Sequence, residues 1–138
     1  MNKNGFRILI LTSFFFAATV APSQTPATNP ADPHAVPLMD AGIGPCTADF
    51  TITDSAGTPV YAAKVKVHIA YGFMNVRKLD LELGTNIDGK AGFTGLPDHI
   101  KHGLYFQASE GDRAGEAFDD PANTCKAQFT ITLLKKMQ

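Results

Sequence analysis

The densest set of side chains able to do chemistry is five residues long: Asp98-His99-Ile100-Lys101-His102. Two imidazoles three positions apart, joined by a carboxylate, are a donor set for Zn²⁺ or Cu²⁺. An exposed insertion whose histidines are merely solvated has the same spelling, so the pattern leaves both readings open. Glu110, Asp112, Glu116, Asp119 and Asp120 make a second polar region. Their oxygens suit Ca²⁺, but the spacing does not follow an EF-hand loop. No nucleophile–base pattern, phosphate loop or dinucleotide fingerprint occurs. The residues therefore name no catalytic group and call for no cofactor.

The two cysteines, Cys46 and Cys125, head segments that echo each other. Cys46-Thr-Ala-Asp-Phe-Thr-Ile-Thr53 and Cys125-Lys-Ala-Gln-Phe-Thr-Ile-Thr132 agree at six of eight positions. If the two segments are neighbouring strands, parallel and in register, the cysteines fall side by side within disulfide reach. The bridge closes a loop of about 80 residues, which on a chain-entropy basis is worth roughly 4.5 kcal/mol. Neither cysteine has the close Cys or His neighbour that a metal site uses.

The ends of the chain say where such a bridge would form. Lys3 and Arg7 precede an apolar run over residues 8–20, and small residues follow at Ala21 and Ser23. This is the pattern of a secretory signal peptide over 1–23, cut after Ala21 or Ser23, rather than of a retained membrane anchor. Without it the chain keeps 10 basic and 13 acidic residues, a formal charge of −3. Nucleic acid, which requires clustered Lys and Arg, is excluded as a partner. A secreted or periplasmic protein with no membrane span after cleavage is expected, and in such a compartment paired cysteines oxidise. Residues 22–45 hold six of the nine prolines. The arm over 24–45 is accordingly expected to be disordered and removable.

A single domain is expected over 46–138, and its apolar residues recur with period two. Ala48, Phe50 and Ile52; Ala63, Val65, Val67 and Ile69; Leu79, Leu81 and Leu83; and Ala127, Phe129, Ile131 and Leu133 each alternate with polar residues. Further strands fit 91–94, 104–108 and, more weakly, 113–118. Gly57 with Pro59 and Asp88 with Gly89 punctuate these runs, the latter reading as a hairpin turn. No stretch keeps a helical period, so the pattern gives an all-β, antiparallel sandwich of about seven strands. His68 falls on a wet face between lysines, as a solvated residue.

The turns carry a resemblance. Gly57-x-Pro59-Val60-x-x-Ala63-x-Val65 and Thr85-x-x-Asp88-Gly89-x-Ala91-x-Phe93-x-Gly95-Leu96-Pro97 resemble the carboxypeptidase regulatory-like domains, which belong to the transthyretin-like (prealbumin-like) sandwiches. Gly103-Leu-Tyr105 looks like the family's Pro-x-Gly-x-Tyr element, displaced by the insertion at 98–102. The resemblance covers about residues 46–134 and implies a non-catalytic accessory module. The hydrolase branch of these sandwiches ends in Tyr-Arg-Gly-Ser, and here the last residues are Leu134-Lys-Lys-Met-Gln138.

Two functions follow from this reading. One is an exported module that binds a protein, peptide or glycan at the cell envelope, with Tyr71, Phe73 and Met74 as a contact patch. The other is a small metal-binding protein, or a metal-dependent hydrolase, using Asp98, His99 and His102.

Overall fold

A computed structural model describes residues 32–137, so the segment expected to be a signal peptide lies outside the described residues. The described residues form nine strands in two sheets. They are β1 (Leu38–Asp40), β2 (Cys46–Thr53), β3 (Lys64–Tyr71), β4 (Arg77–Gly84), β5 (Lys90–Leu96), β6 (Leu104–Glu110), β7 (Arg113–Asp119), β8 (Lys126–Thr132) and β9 (Leu134–Lys135). One sheet has the order β1-β5-β2-β8 and the other β4-β3-β6-β7-β9. The seven expected strands are all present. The two additional ones, β1 and β9, are three and two residues long, too short to leave a periodic signal.

The alternation read from the sequence becomes the core. Ala48, Phe50 and Ile52 from β2 meet Val65, Val67 and Ile69 from β3 and Phe106 from β6, all buried. Four phenylalanines tie the layers together. Phe50, Phe93 and Phe129 come from the four-stranded sheet and Phe106 from the other, with the Phe50 and Phe106 rings 4.7 Å apart and tilted. Most neighbouring strands are antiparallel, but β2 and β8 run parallel with Ala48 beside Ala127, Phe50 beside Phe129 and Ile52 beside Ile131. That register places Cys46 beside Cys125, and the two are disulfide-bonded, with Cα atoms 4.6 Å apart.

Two expectations are corrected. The Asn86–Gly89 turn does not make a hairpin, because β4 and β5 lie in different sheets. It is a corner, and its geometry is set by the buried Asn86 amide. The Asn86 Oδ1 accepts from the Asp88 and Lys90 amides, while its Nδ2 donates to the carbonyls of His34 and Ala35. All four hydrogen-bonding positions of the amide are used.

The second correction concerns the arm, which is not disordered over 32–45. β1 pairs parallel with β5, the Gly92 amide donates to the Pro37 carbonyl, and the Ala41 and Ile43 amides donate to Thr94 and Gly95. Met39, Ala41 and Ile43 pack against the core. Proline-rich composition suggested an unanchored segment, but the anchoring bonds come from β5 and Asn86, distant in sequence. The His34 ring Nδ1 lies 2.9 Å from Asp88 Oδ2. That hydrogen bond, with the carboxylate charge, holds the imidazolium above its ordinary 6.5. This contact therefore aids docking in full below that value and fades as pH rises through the raised one.

Two outcomes test this arrangement. Deleting residues up to 44 removes β1 and strands the Asn86 amide, and should cost roughly 2–4 kcal/mol in a denaturant titration. An unchanged midpoint would show that the arm is a passenger. Gly89 has φ +69°, and a Cβ there would stand 2.4 Å from the Ile52 carbonyl oxygen. Gly89→Val should thus lose on the order of 2–5 kcal/mol, from backbone strain and overlap together.

Candidate functional site

The antiparallel pairing decides which loops share an end. Lys64 of β3 faces Ser109 of β6, so the Tyr71 end of β3 lies beside the start of β6. Cys46 faces Leu96 at the end of β5, whose following loop leads into β6. The 72–76 loop, the 97–103 loop and the disulfide therefore occupy one end of the sandwich.

At that end the chain leaves β3 through Gly72 (φ +79°) and makes a single 3-10 turn, Phe73–Asn75, with Met74 and Asn75 also at positive φ. The turn throws its apolar side chains outward. Phe73 is 86% exposed, Met74 79% and Val76 73%. Of the expected contact residues, Phe73 and Met74 stand in this tip. Tyr71 does not, being half-buried against the core, and Val76 takes its place.

The Asp98–His99–His102 set is not gathered. His99 Nδ1 lies 3.5 Å from Asp98 Oδ1, both side chains largely in solvent. His102 lines a different place, a groove of roughly 290 Å³ with His68, Ala70, Ile100, Gly103 and Tyr105. Among the described residues, no group of three or more His, Cys, Asp or Glu side chains is placed to hold a metal ion. The late acidic residues also scatter. Glu110 pairs with Arg113, Asp112 lies 3.9 Å from Lys135, and Asp120 caps the turn to Ala122 and Asn123.

The outer face of the five-stranded sheet adjoins this end. Because β3 alternates, its Lys64, Lys66 and His68 project from that face while Val65 and Val67 go inward. His68 sits opposite Asp80 of β4, and its Nδ1 is bonded to Asp80 Oδ1. Lys64 and Lys66 reach Glu82 at 3.4 and 3.1 Å, and this pairing, led by the bond to Lys66, holds the Glu82 carboxyl below its usual range. On β6 and β7, Tyr105 lies opposite Phe118 and Gln107 opposite Glu116. Tyr105 is 61% exposed and Phe118 49%, with ring centroids 4.7 Å apart. In the sequence Tyr105 is legible only as part of a turn element, and Phe118 only as part of a weak strand. Outward parity on adjacent strands was the available signal, but which strands are adjacent is a tertiary fact.

Asp119 ends β7 next to Phe118 and is buried. Burial first, and then the charge of Asp120, pushes its carboxyl above the ordinary 3.8. A raised acid is one whose charge the fold disfavours. The penalty is present above the raised value and is relieved as pH falls through it. Asp119→Asn should therefore melt higher than the parent at pH 7, with the gap closing as pH approaches 3.8. Equal melting temperatures at pH 7 would mean that the carboxylate is fully compensated.

No protein-family model matches the chain, and neither does any curated protein. Several solved structures align with the chain in part. A 3-chlorocatechol 1,2-dioxygenase from Rhodococcus opacus 1CP is 14% identical with a TM-score of 0.47, over 85% of this chain and 71% of that one. A hydroxyquinol 1,2-dioxygenase from Pseudomonas putida DLL-E4 is 12% identical with a TM-score of 0.46, over 75% of this chain and 63% of that one. Wild-type catechol 1,2-dioxygenase from Acinetobacter radioresistens is 16% identical with a TM-score of 0.42, over 76% and 60%. At TM-scores below 0.5 these alignments carry no argument about the fold or chemistry of this chain.

Proposed function

We propose that this is an exported, non-catalytic sandwich module of the carboxypeptidase regulatory-like kind, which binds a protein, peptide or glycan at the cell envelope. The observation that carries the reading is the apolar tip formed by Phe73, Met74 and Val76, projecting at the disulfide-bearing end. Large apolar side chains held in water by a turn with three residues at positive φ gain nothing for the fold. They gain on contact with a partner, where that area leaves water. The polar groups of the five-stranded sheet support the same reading, since His68, Lys64, Lys66 and Arg113 are engaged in surface pairs rather than converging in a cleft. Export is supported by the Cys46–Cys125 bond, which belongs to oxidising compartments. Among the described residues no helix is long and apolar enough to cross a membrane.

Phe73→Ala/Met74→Ala is the direct test. Both side chains are exposed, so the melting temperature should stay within about 2 °C of the parent. Cross-linking in an envelope or culture-fluid extract should lose the adduct that the parent forms. The same adduct at the same yield would remove the tip from function, and hydrolytic turnover abolished by His99→Ala would replace this reading with an enzymatic one.

A further inference from the structure

We propose that the outer face of the five-stranded sheet, centred on the Tyr105–Phe118 ring pair, binds an uncharged glycan chain. This rests on the reading of the protein as a binding module and gives its ligand a chemical class. The rings lie tilted at 51° with centroids 4.7 Å apart, and both are open to water. Phe118 is held in place by a missing side chain. A Cβ on Gly103 would stand 2.5 Å from two atoms of its ring, so the ring rests directly on the loop backbone. A preset aromatic surface loses little freedom when a ligand stacks on it.

The place of the rings in the sheet narrows the ligand. β3 is paired on both sides, with β4 and β6, and β6 with β3 and β7. Their backbone groups are thus committed, and an extended peptide could add as a further strand only at the outer edge of β7, which pairs with β9 at Arg113 and Ala114 alone, and not over the face itself. The face offers only rings and the tips of polar side chains. Those tips are planar and flank the rings: Gln107 opposite Glu116 one row along, and His68 paired with Asp80 toward β4. A pyranose presents an apolar C–H face for a ring and a rim of hydroxyls that such amide, carboxylate and imidazole groups bond. Charge disfavours an anionic chain, because Lys64 and Lys66 are already neutralised by Glu82. The groove running past His68 to Ile100 and His102 continues the surface beyond one sugar.

The test is native affinity electrophoresis of the purified protein in gels containing hydroxyethylcellulose, soluble starch or xylan, with calorimetry against chitohexaose. At least one of these should bind. Tyr105→Ala and Phe118→Ala should each weaken it about tenfold or more, while Tyr105→Phe, which keeps the ring, should weaken it much less. If Phe118→Ala fails to fold, the Tyr105→Ala and Tyr105→Phe pair decides alone. No retention by any glycan overturns the inference, as does retention unchanged in Tyr105→Ala. Binding of decaproline in place of the glycans overturns it in favour of a proline-rich peptide, whose helix also suits aromatic grooves. Loss of glycan binding from the list of activities, with the Phe73/Met74-dependent adduct intact, would fell this inference and leave the binding-module reading standing.

Discussion

The parallel, in-register pairing of β2 with β8 is the constraint around which the sandwich is arranged. Two strands of nearly the same sequence lie side by side, so each inward layer repeats: Ala48 with Ala127, Phe50 with Phe129, Ile52 with Ile131. Parallel neighbours cannot be joined by a tight turn, so the chain between them must travel away and return. That excursion holds β3 to β7, four of them strands of the opposite sheet. The Cys46–Cys125 bond makes the pairing covalent at one end. Phe106, contributed by the opposite sheet, enters among Phe50, Phe93 and Phe129 and joins the layers. Register here is a packing matter, since a one-residue slip would turn every one of these side chains toward water.

The end that the disulfide closes is also where apolar surface is left over. Inward positions are saturated there by Cys46, Leu96 and Leu104, all buried. The loops that pass over them have no core to fill, and the 72–76 loop turns Phe73, Met74 and Val76 outward. A stable base under a protruding tip is the usual division of labour between scaffold and binding loop. Beside it, the adjacent strands β6 and β7 of the five-stranded sheet present rings and planar polar groups on their outer face. Loop tip and sheet face thus offer contacts of different chemistry within one region.

Much of the fold was legible in the residues because it is local or periodic. Alternation with period two locates strands and their inward faces, and the echo between residues 46–53 and 125–132 puts the two cysteines within disulfide reach if the segments pair parallel and in register, as they do. Gly89 has the positive φ that an Asp-Gly pair favours through its own backbone preference, although the turn it makes is not a hairpin. The candidate site was less legible. Phe73 and Met74 were identified as apolar residues in a loop, but Tyr71 turned inward, because the last residue of a strand can pack either way and neighbours decide.

What the residues could not express is relation across the molecule. The Asn86–Gly89 turn looked like a hairpin because turn chemistry specifies a bend and not the sheets that it joins. The proline-rich segment looked unanchored because the amide that holds it, Asn86, lies some fifty residues further on and the pairing strand β5 further still. Asp98, His99 and His102 are neighbours in sequence yet not a ligand set, while His68 and His102, 34 positions apart in the numbering, line one groove. Tyr105 and Phe118 become a surface only once β6 and β7 are paired and Gly103 lets a ring lie on the loop. Short-range preference fixes strands, turns and parity; the choice of which strands sit side by side is made by burying their inward faces together, and the proposed binding surface is what that choice leaves outside.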